Sequence, residues 1–147
     1  MELMRGGQLS QLIMSKKRQG IDFSDEEASQ IIKAIFEAVN YLHTNEIVHR
    51  DLKPDNILIA DPDDLSSIKV ADFGLSAKYE QHNETDQVGT LIFMSPELIK
   101  KRQYTAGVDV FAVGVVMYML LTGGKHPLYQ SDEFLTEKYK TQLLALS

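Results

Sequence analysis

The stretch HRDLKPDN, His49–Asn56, decides how the rest of this 147-residue chain is interpreted. Two short apolar runs follow it, Ile57–Ile59 and Ile68–Val70, and after them comes DFG at Asp72–Gly74. If the apolar runs form antiparallel strands, the loop before the first strand lies beside the loop after the second. The sequence therefore predicts a single site that is built from both loops.

The residue types in these loops suit phosphoryl transfer to a hydroxyl. That reaction depends mostly on positioning and charge neutralisation, so a carboxylate, an ammonium group and metal-binding oxygens suffice. Asp51 would accept or orient the acceptor hydroxyl, and Lys53 would face the transferring phosphoryl group. Asn56 and Asp72 offer the hard oxygen ligands that Mg²⁺ prefers.

Three short motifs carry a resemblance to eukaryotic protein kinases. HRDLKPDN resembles their catalytic loop, in which His49 and Arg50 precede the catalytic Asp, and DFG, completed by Phe73 and Gly74, resembles their metal-binding triplet. Ser95–Glu97 resembles the Ala-Pro-Glu that closes the activation segment, with Ser in place of Ala. The resemblance implies an α+β fold, mainly α, in which the helices of a partial large lobe surround a small β-hairpin with the catalytic loop. It also implies ATP and Mg²⁺ as cofactors.

Two features of the resemblance indicate Ser/Thr rather than Tyr as the acceptor. Gly89–Thr90 resembles the family's Gly-Thr, in which the Thr90 hydroxyl would bridge Asp51 and Lys53. Lys53 points the same way, because tyrosine kinases carry a different pattern after the Asp. A protein substrate with a Ser or Thr acceptor is therefore expected.

Gly6–Leu9 and Ile47–His49 are most like the calcium/calmodulin-dependent group of kinases. Any calcium/calmodulin-type regulation is then expected outside this chain. Relatives that prefer an Arg upstream of the acceptor usually have Glu where this chain has Gln8. Asp55 keeps a negative group in the catalytic loop, so a preference for basic substrates stays open.

Residues 1–8 resemble the hinge between the two kinase lobes, with the large-lobe core over 9–124 and a further helical region starting over 125–147. Backbone groups of Glu2 and Met4 would meet adenine, Met1 would border the back of the pocket, and Leu58 would contact the nucleotide. The alternative for this stretch by itself is an ordinary strand end followed by a Gly-Gly turn.

Asp86 stands where many kinases carry an activating phosphothreonine. Its carboxylate would partly replace phosphate by pairing with Arg50, although it brings one charge rather than nearly two. We expect weak dependence on phosphorylation at this position. Thr85 is an adjacent phosphorylation candidate, and a plain exposed loop residue is the alternative.

Helical patterns dominate the rest of the chain. SDEE at Ser24–Glu27 is a capping box, and apolar residues at helical spacing predict a helix from about Asp25 to Thr44, in which His43 would bond a last-turn carbonyl. A shorter helix is expected over Leu9–Ser15, followed by a solvated basic loop, Lys16–Gly20. An amphipathic helix is expected over Ser131–Leu146.

The run Val108–Leu121 is apolar almost all round, which is typical of a helix at the centre of a domain. In the resemblance, Asp109 at its start ties to the backbone of His49 and Arg50, which would offset the cost of burying a carboxylate. The alternative is an N-terminal charge stabilised by the helix dipole.

The acidic segment Ala60–Ser67 connects the two predicted strands. Asp61, Asp63 and Asp64 could form a calcium site, but a solvated loop is favoured because the central Gly and terminal Glu of an EF-hand loop are absent.

Composition sets further limits. The chain has no cysteine, which excludes disulfides and thiolate metal sites and fits a cytoplasmic protein. A net charge of −6 argues against a nucleic-acid partner. The longest nearly apolar run, Val110–Leu121, is shorter than the ~20 residues that span a bilayer, and no signal peptide is recognised. No membrane partner is expected.

The 147 residues contain no Gly-rich phosphate loop, no strand Lys for the α and β phosphates and no helix with its partner Glu. Glu97 is also without the downstream Arg with which it pairs in the family. We therefore expect a Ser/Thr protein kinase as the parent and an inactive chain on its own. The alternative is a non-catalytic kinase-like module that binds partners or regulates an active kinase.

Overall fold

A computed structural model of the chain describes residues 3–72, 77–78, 91–100, 105–127 and 145. Its elements in chain order are β1 (Gly7–Gln8), α1 (Leu9–Gln19), α2 (Asp25–Thr44), β2 (Ile47–Val48), a 3-10 helix (Pro54–Asn56), β3 (Ile57–Asp61), β4 (Asp64–Val70), β5 (Ala77–Lys78), a second 3-10 helix (Leu91–Phe93), α3 (Pro96–Ile99) and α4 (Gly107–Leu121). The helix expected over Ser131–Leu146 lies outside the described residues.

The predicted hairpin is confirmed. β3 pairs with β4 in antiparallel register, with Ile57 opposite Val70 and Ile59 opposite Ile68. β1 adds to the other edge of β3, which gives the order β1-β3-β4. Because Ile57, Ile59 and Ile68 are buried, this small sheet has one face in the core.

The connection between β3 and β4 is shorter than the sequence suggested, because the strands continue to Asp61 and Asp64 and leave a two-residue turn. The Asp63 amide donates to Asp61 Oδ1 at 3.0 Å, and the Ser66 amide donates to Asp64 Oδ1 at 3.0 Å. These bonds let short polar side chains close the turn locally. The Ser66 bonds also lower the pKa of the exposed Asp64 carboxyl.

α2 has the predicted bounds and the predicted start. Ser24 Oγ accepts from the Glu27 amide at 3.1 Å, and Glu27 Oε2 accepts from the Ser24 amide at 2.9 Å, so the capping box is complete. Its core-facing residues recur at helical spacing: Ala28, Ile31, Ile35, Val39 and Leu42.

α1 continues four residues beyond the predicted end at Ser15, and the expected basic loop is helical up to Gln19. Basic side chains in a last turn are favoured by the helix dipole, and Gly20 ends the helix in the left-handed conformation at φ 67°. Lys16 is also fixed from outside, because its Nζ lies 3.0 Å from Glu27 Oε2 and 4.7 Å from the centre of the Phe23 ring. The basic run is therefore part of the contact between α1 and α2.

α4 is the central helix that the apolar run predicted. Its buried side packs against α2 and the rest of the core, with Val108, Asp109, Ala112, Val113, Val115, Val116 and Leu120. One face is exposed, however, at Val110, Met117, Tyr118 and Leu121. The helix ends at Leu121, before Gly123 and Gly124, whose φ angles are 69° and 88°.

Two apolar clusters hold these elements together. The larger joins α1, α2, α4 and the β3–β4 hairpin. The smaller joins β2, α3 and the start of α4 and consists of Val48, Met94, Leu98, Ile99 and Val108. His126 follows α4, and its Nε2 lies 2.8 Å from the Ile92 carbonyl. Burial lowers the pKa of His126 below 6.5.

The arrangement confirms the predicted α+β fold, mainly α, with helices around a small hairpin that carries the HRDLKPDN loop. Among the residues that the structure describes, no helix is long and apolar enough to cross a membrane.

Candidate active site

The HRDLKPDN loop runs from the end of β2 to the start of β3, and its first residues are hydrogen-bonded to α4. Asp109 is 1% exposed, and its two carboxylate oxygens accept from the His49 amide at 2.8 Å and the Arg50 amide at 2.9 Å. Arg50 has a left-handed backbone at φ 71°, a conformation that is uncommon for a residue with a side chain. The carboxylate therefore holds the loop in a turn that the backbone by itself disfavours.

His49 connects the two loops that the hairpin brings together. It is fully buried, its Nδ1 accepts from the Asp51 amide at 3.1 Å, and its Nε2 lies 2.8 Å from the Ala71 carbonyl. Since Nδ1 accepts, the proton belongs on Nε2, which donates to Ala71. Ala71 in turn donates its amide to the Asn56 carbonyl at 2.8 Å.

Asp51, Lys53 and Asn56 form a compact group on this frame. Asn56 Nδ2 donates to the Asp51 carbonyl at 2.8 Å and approaches Asp51 Oδ2 at 3.4 Å, while Lys53 Nζ lies 3.6 Å from the same Oδ2. Asp51 is 8% exposed and Asn56 6%. A largely buried carboxylate beside an ammonium group is an arrangement that can receive a proton and neutralise a transferred anion.

Asp72 and Asn56 fit a magnesium ion by the chemistry of their donors. Asp72 is exposed and follows Ala71, whose amide bonds Asn56, so the backbone places the two residues on adjoining segments. The Asn56 amide hydrogens are directed at Asp51, which leaves its Oδ1 as the atom to face a cation. Within the described ranges no group of three or more His, Cys, Asp or Glu side chains is placed to hold a metal. Mg²⁺ needs only one or two protein oxygens when phosphates and water complete its shell.

His43 is a residue whose place in the site the sequence did not reveal. It was expected to bond a carbonyl in the last turn of α2, but its Nε2 lies 2.8 Å from Asp109 Oδ2 instead. That oxygen therefore contacts both His43 and the His49 amide. His43 and Asp109 are 66 positions apart in the sequence, so no local pattern could indicate the contact.

The remaining predicted residues lie around this centre or outside the described part of the chain. The Met4 carbonyl accepts from the Gly7 amide at 3.2 Å, and Leu58 pairs with Gln8 and Lys69 in the sheet. Glu97 is half-buried in α3, and no hydrogen bond or ion pair of its side chain is found among the described residues. The predicted positions outside the described residues are Met1, Glu2, Phe73, Gly74, Thr85, Asp86 and Thr90.

The structure places an HRDLKPDN loop and a following Asp at the two ends of one hairpin, and the protein kinase domain model matches residues 1–146. The chain belongs to the protein kinase family.

Within that family the chain is similar to calcium/calmodulin-dependent kinases. It is 38% identical over 133 residues to "Calcium/calmodulin-dependent protein kinase type 1" of Caenorhabditis elegans, which covers 90% of this chain and 37% of that protein. It is 37% identical over 132 residues to the type 1 kinase of Macrobrachium nipponense, and the match covers 90% of this chain and 37% of that protein. It is 37% identical over 134 residues to "Calcium/calmodulin-dependent protein kinase type II alpha chain" of Drosophila melanogaster, and the match covers 90% of this chain and 24% of that protein. The chain thus spans little more than a third, or less, of the length of these curated relatives.

Proposed function

We propose that the protein containing this chain transfers the γ-phosphoryl group of MgATP to Ser or Thr hydroxyls of protein substrates. The observation that carries the proposal is the buried Asp51 carboxylate, with Lys53 Nζ at 3.6 Å and Asn56 Nδ2 at 3.4 Å. All three residues belong to a loop that Asp109 fixes from α4.

Asp51 orients the acceptor hydroxyl and takes its proton. A carboxylate can do this when it lies within hydrogen-bond reach of the hydroxyl. Lys53 faces the phosphoryl group and offsets the charge that develops on its oxygens. By its resemblance to the Gly-Thr of related kinases, Thr90 would bridge Asp51 and Lys53 with its hydroxyl.

Asn56 and Asp72 would hold the magnesium ion of MgATP. The bound nucleotide supplies the phosphoryl group, and its metal ion neutralises charge on the phosphate oxygens. Backbone groups of Glu2 and Met4, with the side chains of Met1 and Leu58, would contact the base.

The names of the relatives suggest how the whole protein is controlled. All three are called calcium/calmodulin-dependent, and we propose regulation of this kind through segments other than residues 1–147. Asp86, paired with Arg50, would reduce the need for phosphorylation in the activation segment.

Asp51→Asn tests the proposed chemistry in the longest native polypeptide that contains this chain. We expect the rate of transfer from γ-labelled ATP to a Ser-containing protein to fall by at least about 100-fold, since the general base is lost. The dissociation constant for MgATP should stay close to that of the parent, because Asn56 and Asp72 are kept.

Asp63→Asn is the matched control, because it removes the same charge from an exposed turn of the same hairpin. Its transfer rate should equal that of the parent. Retained turnover in Asp51→Asn would exclude Asp51 as the base. A parent that binds no MgATP and transfers no phosphate would instead support a non-catalytic module.

A further inference from the structure

A cleft of about 510 Å³ lies at the C-terminal ends of α1 and α4. It is bounded by the C-terminal end of α1, the segment that leads to α2, and the C-terminal end of α4. The residues that line it are Lys17, Gly20, Ile21, Asp22, Phe23, Leu121, Thr122, Gly123 and Lys125. None of them belongs to the candidate active site.

The turn after α4 forms one wall of the cleft because its two glycines lie close to α1 and to the following segment. A Cβ atom at Gly124 would lie 3.1 Å from Ile13 Cγ2, and one at Gly123 would lie 3.3 Å from Asp22 Oδ1. Both glycines also have positive φ angles. The wall is therefore a fixed turn packed on a helix, with the Gly124 amide bonded to the Met119 carbonyl at 2.8 Å.

The cleft offers apolar surface to solvent. Two of its lining residues, Ile21 and Leu121, are 51% and 54% exposed. A third, Phe23, is half-buried and packed against the larger core. Exposed apolar side chains gathered in a concave site are typical of a binding surface rather than of scattered surface residues.

The residues that line the cleft carry more positive than negative charge. Neither Lys17 nor Lys125 forms an ion pair in the part of the chain that the structure describes, whereas the neighbouring Lys16 is paired with Glu27. Asp22 is the one carboxylate among the lining residues. In a chain whose net charge is −6, this is a local excess of positive charge.

We infer that the cleft is a docking site for an extended segment of a partner protein in which apolar side chains are flanked by Asp or Glu. The apolar side chains would cover Ile21, Phe23 and Leu121, and the carboxylates would pair with Lys17 and Lys125. Such complementarity of charge favours one class of partner over others. The volume lies within the range of about 300–1,000 Å³ that is usual for ligand sites, which is enough for a few side chains.

The test is fluorescence polarisation of a labelled ten-residue peptide, in which two Leu are flanked by Glu, against the purified chain. We expect saturable binding that weakens as salt rises, because the charges at the rim are exposed. The double variants Lys17→Glu with Lys125→Glu, and Ile21→Ser with Leu121→Ser, should each weaken binding by about tenfold. A milder pair, Lys17→Gln with Lys125→Gln, gives the same direction if charge reversal impairs folding.

Matched controls change equally exposed residues elsewhere. Arg5→Glu with Lys33→Glu makes the same change of charge, and Tyr41→Ser with Val110→Ser removes exposed apolar surface. Both controls should bind the peptide like the parent. A peptide with Lys in place of Glu, or Ser in place of Leu, should bind at least about tenfold more weakly.

Acylation of lysines gives a second, independent measurement. The bound peptide should protect Lys17 and Lys125 from a small acylating reagent and leave Lys33 reactive. The proposal is overturned if the peptide does not bind, or if the control variants reduce binding as much as the cleft variants. It is also overturned if sedimentation shows a dimer that the Lys17→Glu, Lys125→Glu variant dissociates, since the cleft would then belong to a second copy.

Discussion

Among the residues that the structure describes, Asp109 and Asp51 are buried carboxylates, and each lies close to several donors. Asp109 receives the His49 and Arg50 amides and the His43 ring at 2.8–2.9 Å. The contacts from Lys53 and Asn56 to the Asp51 carboxylate are longer, at 3.6 and 3.4 Å. A buried carboxylate needs donors, and short bonds fix it in place.

Ser95 gives a test at the scale of one atom. It stands where the related kinase motif has Ala, it is 1% exposed, and its hydroxyl has no hydrogen-bond partner among the described residues. Burying an unpaired hydroxyl is costly, so Ser95→Ala should raise the free energy of unfolding by about 1 kcal/mol. Urea unfolding followed by circular dichroism measures the change. A loss of stability would show that the hydroxyl gains a partner in solution.

Ser24→Ala should have the opposite effect, because this serine caps α2. Its Oγ accepts from the Glu27 amide at 3.1 Å, and removing an N-cap hydroxyl costs about 1 kcal/mol of stability. The same urea titration measures it, with Ser29→Ala as a control inside the helix. If Ser24→Ala and Ser29→Ala unfold at the same urea concentration, the cap does not stabilise α2.

The same capping box makes the stability of α2 depend on pH. Bonding to the Ser24 amide, followed by bonding to the Lys16 ammonium, lowers the pKa of Glu27 below 4.5. A lowered folded-state pKa contributes stability that is present above pH 4.5 and is lost as pH falls through the folded pKa. Glu27→Gln should therefore cost more stability at neutral pH than at the acid end of the folded range. A cost that is constant with pH would contradict this assignment.

The elements show which signals in the sequence were sufficient. The capping box and the spacing of Ile31, Ile35 and Val39 are local, and they predicted the bounds of α2. The end of α1 was placed too early, because its last turn is stabilised by the contact of Lys16 with Glu27, 11 residues away. The turn between β3 and β4 was predicted too long, because bonds of Asp61 and Asp64 to nearby amides close it.

In the candidate site, too, some features could be predicted from the sequence and others could not. The residue types and spacing of Asp51, Lys53, Asn56 and Asp72 were enough to propose a chemistry and a family. The contact of His43 with Asp109 and the left-handed backbone of Arg50 and Asp72 could not be read, because they depend on how distant segments pack. The cleft beside α4 was missed for the same reason, since its walls come from two regions that are far apart in the sequence.

At the scale of the whole molecule, the exposed face of α4 combines with a low isoelectric point of about 5.1. Net charge keeps molecules apart, and it vanishes near that pH. We expect association, measured by light scattering, to be greatest near pH 5.1. Val110→Glu with Met117→Glu should reduce it, because charge is placed on the apolar face.

The control for this prediction is Gln30→Glu with Asn40→Glu, which adds the same charge on the exposed side of α2. If both pairs reduce association equally, net charge alone is responsible. If neither pair changes it, the apolar face of α4 has no part in association.

The hydrogen bonds from the His49 and Arg50 amides to Asp109 also affect the order in which the chain is expected to fold. The Asp109 carboxylate joins α4 to amides 59 and 60 residues earlier in the chain. Contacts between such distant positions form only after the intervening chain has been brought together, at a cost in loop entropy. Helix α2 can form early from its own capping box and apolar face. We therefore expect the HRDLKPDN loop to order late and to take its final shape only after α4 has packed against it.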